Sequence, residues 1–146
     1  MENGNITEYM KRTQAGVKAR LRFVRGITLG MAYLHSCDPP ICHGDLKPAN
    51  VLISDKLDAV LCDFGLATFV ENSGDPSGLT TSRSIKGSLR YMSPELFHDD
   101  EAKHTLESDI WAWACTIFET ITDCIPYANS RSDGSLMVAV LQGASP

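Results

Sequence analysis

The stretch His43-Gly44-Asp45-Leu46-Lys47-Pro48-Ala49-Asn50 packs an acid, an ammonium and an amide into a few positions. Pro48 stiffens the loop that holds them. Further along comes Asp63, followed by Phe64 and Gly65. Two short apolar runs lie between, 50–53 and 59–62, separated by the polar stretch Ser54 to Asp58. That pattern predicts a β-hairpin. Asn50 begins one strand and Asp63 ends the other, so pairing of the strands brings them together. Two oxygen ligands on short side chains, beside a loop carboxylate and an ammonium, suit magnesium with a phosphate ester.

Helices must carry this loop and hairpin. Residues 5–14 read as a short helix, with Asn5 as cap and Glu8 three residues on. Residues 17–36 read as a longer amphipathic helix: Val17, Leu21, Val24, Ile27, Met31 and Leu34 recur every three or four residues. Pro39 and Pro40 end it. Gly26 and Gly30 form a G-x-x-x-G, read here as close helix packing because Arg20, Arg22 and Arg25 precede it. The clearest helix is 109–122, with Ser108 as cap and Asp109 at its positive end. Its predicted apolar face is Ile110, Trp113, Ala114, Ile117, Phe118 and Ile121. Residues 71–86 read as a polar loop, 129–135 as another, and 136–142 as the start of a further helix. The expected class is α+β: mainly helical, with one small hairpin at the chemical centre.

Composition fits a folded domain. The chain has 146 residues, 43% of them hydrophobic, with a net charge of −5. A nucleic-acid binder would show a basic surplus, so none is expected as partner. No apolar run is long enough to span a bilayer, and no secretory signal follows Met1. The cysteines Cys37, Cys42, Cys62, Cys115 and Cys124 are odd in number and lack C-x-x-C spacing. Reduced thiols packed as small hydrophobes, in a cytoplasmic protein, are expected.

H-x-D-L-K-x-x-N followed by D-F-G resembles the protein-kinase signature. Gly87-Ser88-Leu89-Arg90-Tyr91-Met92-Ser93-Pro94-Glu95 resembles the end of a kinase activation segment, with Ser-Pro-Glu for Ala-Pro-Glu. Ser108-Asp109-Ile110-Trp111 resembles the Asp-x-Trp start of the central helix of the C-terminal lobe. The order and spacing also match, from about residue 4 to the end of the chain. The resemblance is to serine/threonine kinases of the tyrosine-kinase-like group; Lys47, two positions after Asp45, is the serine/threonine-type signature. It implies a kinase domain over 1–146, C-terminal lobe only and truncated at both ends. The catalytic loop would be 43–50 and the activation segment 63–95.

The resemblance also implies roles, with ATP and Mg2+ as cofactors and a protein Ser/Thr hydroxyl as substrate. Asp45 would accept or orient the hydroxyl proton. Lys47 would steady the transferring phosphoryl group. Asn50 and Asp63 would hold Mg2+, and Leu52 would pack beneath the adenine. Ser88 would take the place of the threonine that shapes the substrate platform. Asp109 would hydrogen-bond the catalytic-loop backbone. His43 is read as a packed structural ring, Trp111 and Trp113 as packing residues, and His35, His98 and His104 carry no assigned role.

Three departures from the family pattern shape the expectations. There is no glycine-rich loop, no V-A-I-K lysine and no partner glutamate in these residues. Loss of one such preorganised contact typically costs about 10²–10³ in rate. Negligible activity and weak nucleotide binding are therefore expected of this chain alone. No arginine follows Arg131, so Glu95 is expected to lack its family partner. Gly44 replaces the arginine of H-R-D, so activity is expected not to depend strongly on phosphorylation of Thr80, Thr81, Ser82 or Ser84.

Other readings compete. One is a catalytically inactive lobe acting as a binding module, and another is a decaying reading frame. A third is a small-molecule kinase of the aminoglycoside- and choline-phosphorylating type. H-G-D-x-x-x-x-N fits that third class, but Asp63-Phe64-Gly65, Tyr91 to Glu95 and Asp109-Ile110-Trp111 do not follow from it.

Overall fold

The structure, a computed structural model, describes residues 2–70, 88–98 and 102–146. Among them are four α-helices and two two-stranded antiparallel sheets, an α+β arrangement as the sequence predicts. The expected loop at 71–86 and the candidate phosphosites Thr80, Thr81, Ser82 and Ser84 lie outside the described residues.

Helix α1 is Ile6–Thr13. Asn5 Oδ1 accepts from Glu8 N at 3.0 Å, and Glu8 Oε2 accepts from Asn5 N at 3.2 Å, which closes the predicted capping box. Helix α2 is Val17–His35, and it buries Phe23, Ile27, Met31 and Leu34. Val17 and Leu21, assigned to the same stripe from the spacing, are exposed. The buried face is rotated toward Phe23, which packs edge-on against Tyr9 of α1 at 5.6 Å.

The G-x-x-x-G of α2 meets a strand, not a helix. A Cβ on Gly26 would lie 2.9 Å from Ala59 O, and one on Gly30 would lie 2.9 Å from Leu61 Cδ1. The helix therefore lies directly on the hairpin, and added atoms force it away. Gly26→Val is expected to cost about 1–3 kcal/mol through overpacking against backbone, read as a lowered urea midpoint.

The hairpin itself is β2 (Val51–Ile53) paired with β3 (Ala59–Leu61), register Val51 to Leu61. Another pair is β1 (Ile41–Cys42) with β4 (Thr68–Phe69). Two-residue strands carry no readable periodicity, so the sequence does not reveal that pair. Residues before α1 extend the hairpin's edge: Ile53 N donates to Gly4 O at 3.1 Å, and Asn5 bridges to Leu52.

Helix α3 is Leu106–Thr122, capped by Thr105, with Ser108 returning the bond to the cap backbone. The predicted cap, Ser108, thus sits one turn inside. Its buried side also differs from the predicted face. Asp109, Ala112, Cys115, Thr116, Glu119 and Thr120 are buried, whereas Ile110 and Ile121 are half exposed. Trp113 and Ile117 still pack on the main core. Polar side chains with dedicated partners turn inward on α3, and apolar spacing does not register them.

Helix α4 is Asp133–Leu141, so part of the predicted loop at 129–135 is its first turn. Ser132 caps it by accepting from Ser135 N at 3.2 Å. The main core gathers α1, α2, the hairpin and Leu46. A second apolar cluster joins Phe97, Tyr127, Leu136 and Val140. No described helix is long and apolar enough to cross a membrane.

Candidate active site

The loop between β1 and β2 is held from below by Asp109, which is 1% exposed. Its carboxylate accepts from His43 N at 2.7 Å and from Gly44 N at 2.9 Å, one oxygen for each. The expected bond from helix to loop backbone is therefore present. His35 Nε2 lies 3.0 Å from the same Oδ2. No sequence signal pointed to His35, because its partner lies far along the chain.

Gly44 meets the backbone's demands here without strain. Its φ is +78°, and a Cβ there would lie 2.8 Å from Leu66 O. The glycine in H-G-D thus answers a left-handed turn pressed against the segment after Asp63. His43 is fully buried, as read from sequence, and its ring lies 5.2 Å from that of Phe64. Among the described residues its Nε2 has no hydrogen-bond partner.

Asp45, Lys47 and Asn50 are brought together. Lys47 Nζ donates to Asp45 Oδ2 at 2.6 Å. Asn50 Nδ2 donates to Asp45 O at 2.8 Å and to Asp45 Oδ2 at 3.0 Å. Asn50 is buried in a 3-10 turn, Pro48–Asn50, that leads into β2. With Nδ2 committed to Asp45, Oδ1 is the atom of Asn50 left to accept or to ligate.

The hairpin register brings the segment leading to Asp63 alongside Asn50. Cys62 N donates to Asn50 O at 3.0 Å, so Asp63 follows directly on the residue opposite Asn50. Asp63 is exposed and has φ +61°, a conformation that aspartate tolerates better than most residues and that recurs at functional sites. Burial and the adjacent Asp63 charge push up the Cys62 thiol, which keeps it protonated. Burial alone pushes Cys115 up to about 11. All the cysteines are free, yet only Cys42 and Cys115 are buried, fewer than their apolar neighbours implied.

Leu52 and Val60 face each other across the hairpin, away from the buried Val51, Ile53 and Ala59. Val60 is exposed and Leu52 half-buried, so this face is open.

Ser88 lies on the other side of Lys47, whose Nζ donates to Ser88 Oγ at 2.7 Å. A groove of about 430 Å³ adjoins this contact, lined among others by Glu8, Lys47, Ser88, Tyr91 and Glu119. Tyr91 Oη donates to Glu119 Oε2 at 2.6 Å. Burial, reinforced by that bond, raises the Tyr91 phenol far above its ordinary range; burial also raises the Glu119 carboxyl. His104 lines a small cavity with Asp45 and Asp109, and burial pulls its imidazole down, toward the neutral form. His98 is exposed.

Among the described residues no group of three His, Cys, Asp or Glu could hold a metal. The candidate set is instead one carboxylate, Asp63, and one amide, Asn50. Such a hard, sparse oxygen set fits Mg2+, which keeps several waters and takes phosphate oxygens as its other ligands.

Residues 1–144 match the family model of the protein kinase domain. Receptor-interacting serine/threonine-protein kinase 3 of Rattus norvegicus is 38% identical over 122 residues, covering 83% of this chain and 25% of that protein. Receptor-interacting serine/threonine-protein kinase 2 of Bos taurus is 30% identical over 151 residues, covering 100% of this chain and 28% of that protein. Stress-activated protein kinase alpha of Dictyostelium discoideum is 36% identical over 125 residues, covering 86% of this chain and 18% of that protein. The chain thus spans between 18% and 28% of the length of these relatives.

Proposed function

This chain belongs to the protein kinase domain family, and on that premise we propose that it is the C-terminal-lobe portion of a serine/threonine kinase. The reaction is transfer of the γ-phosphoryl group of ATP to a protein Ser or Thr hydroxyl. The single observation that supports this reading is the cluster of Asp45, Lys47 and Asn50 within hydrogen-bond reach, with Cys62, the residue before Asp63, bonded to Asn50 across the hairpin.

In this reading Asn50 and Asp63 hold Mg2+, which when bound neutralises phosphate charge. Asp45 orients the substrate hydroxyl and accepts its proton. Lys47, anchored between Asp45 and Ser88, stabilises the transferred group. Leu52 supplies the apolar floor for the nucleotide base, on the open face of the hairpin. The groove beside Lys47 and Ser88 admits the substrate segment. Catalysis is then positioning and charge stabilisation, not covalent chemistry. Serine/threonine specificity is supported by the names of the relatives and by Lys47. A cytoplasmic site of action fits the free cysteines.

The test is phosphate transfer from labelled ATP to a generic protein substrate, with this chain alone and with the full natural reading frame that encodes it. The reading frame is expected to turn over at about 1–100 s⁻¹, as kinases typically do. Label is expected on Ser and Thr only and should vanish with EDTA. The chain alone is expected to show negligible transfer. Label on tyrosine, transfer that survives EDTA, or no transfer from the full reading frame would overturn the proposal.

A further inference from the structure

Residues 88–91 form one tight 3-10 turn whose side chains reach three different elements. Ser88 Oγ accepts from Lys47 Nζ at 2.7 Å, and Tyr91 Oη donates to Glu119 on α3. Arg90 reaches the loop between α3 and α4. Its Nη1 donates to Pro126 O at 2.8 Å and to Tyr127 O at 2.7 Å, and its Nη2 donates to Ser130 O at 3.0 Å.

Three carbonyl oxygens converging on one group form a cation site. A guanidinium can satisfy all of them at once, because its N–H groups fan out in one rigid plane. No carboxylate among the described residues pairs with Arg90, so its charge is set against these carbonyl dipoles. The loop needs such support. Tyr127 is buried at φ +54°, a conformation a bulky residue seldom holds unaided. Its carbonyl also accepts from Ser130 N at 2.9 Å, which closes the turn that Arg90 grips.

We propose that Arg90 is a positioning residue whose clamp on residues 126–130 fixes Ser88 and, through Ser88, the Lys47 ammonium. The importance of Lys47 rests on the phosphotransfer reading; the mechanical link does not. Lys47 has two holds, Asp45 and Ser88. Without the clamp the 88–91 turn keeps, among the described residues, the Tyr91 hydrogen bond and the packing of Leu89 on the Phe97–Tyr127 cluster, neither of which holds the Ser88 side chain, so Ser88 no longer presents its hydroxyl at a defined place. Lys47 is then left on Asp45 alone and becomes freer to react.

The experiment is trace acetylation of this chain with acetic anhydride. The labelling of Lys47 is read by mass spectrometry against that of the exposed Lys18 and Lys56. Arg90→Ala and Ser88→Ala are each expected to raise the relative labelling of Lys47 by about 3-fold or more, since loss of one tether of a two-tether group costs about one hydrogen bond. The double variant is expected to rise no further than either single one, because both act on one link. Arg90→Lys keeps the charge but not the planar fork, and is expected to restore less than half of the effect. Unchanged Lys47 labelling in Arg90→Ala overturns the proposal. So does a double variant that rises by the product of the singles, or full rescue by lysine. If Arg90→Ala loses helical circular dichroism, Arg90→Lys is read in its place: any rise in Lys47 labelling supports the link, and wild-type labelling overturns it. Because no turnover is measured, this outcome stands apart from that of the phosphotransfer assay.

Discussion

Asp109→Ala should remove about 3–5 kcal/mol of folding stability, the range seen when one partner of a buried charged network is deleted. The carboxylate is 1% exposed and accepts from His43 N, Gly44 N and His35 Nε2. Alanine would leave two backbone donors and an imidazole without their acceptor, in a place water barely reaches. Each orphaned buried donor costs about 1–3 kcal/mol. Asparagine is no remedy. His43 N and Gly44 N use different oxygens, so an amide satisfies one and sets its own N–H group against the other. Asp109→Asn should therefore also destabilise, by a smaller amount, about 1–3 kcal/mol. Urea unfolding followed by circular dichroism measures both. A loss below about 1 kcal/mol for the alanine variant would mean that the loop does not depend on this helix end.

Asp63→Ala is expected to act on chemistry and to leave the fold in place. Asp63 is exposed and makes no ion pair among the described residues, so its loss opens no cavity and breaks no buried network. It also relieves little, since alanine is no better suited to φ +61° than aspartate. The unfolding midpoint is expected to stay within the small range typical of surface changes, about ±0.5 kcal/mol. Phosphoryl transfer by the full reading frame is expected to fall by about 10²–10³ or more, the scale for removing one preorganised charge-stabilising group. Assays at saturating ATP and Mg2+ measure the drop. Turnover within about 3-fold of wild type, with stability unchanged, would remove Asp63 from the metal site.

Much of this arrangement was legible because its signals are local. Asn5 and Glu8 form a capping box within one turn, and the 51–53 and 59–61 runs pair across a short polar turn. Once the hairpin is expected, the meeting of Asn50 with the segment ending at Asp63 follows from strand pairing alone. What stayed hidden depends on partners distant along the chain. His35 finds Asp109 across α2 and α3, and Arg90 finds three carbonyls whose backbone carries no side-chain signal. The face of α3 was misread for a related reason. Apolar spacing selected Ile110 and Ile121, but the helix turns Asp109 and Glu119 inward because both have hydrogen-bond partners there. The same inward polar face leaves Ile110 and Ile121 as exposed apolar surface.

Asn50, Asp63 and Asp45 are proposed to surround a single cation–nucleotide site. Paramagnetic Mn2+ in place of Mg2+, titrated into the 15N-labelled chain with ATP, tests it without any need for turnover. The side-chain amide of Asn50 and the backbone amides of Asp45 and Asp63 are expected to broaden together, and Asp63→Ala is expected to abolish the effect. Broadening centred on other carboxylates such as Glu8, Asp58 or Asp123, with Asn50 and Asp63 untouched, would contradict it.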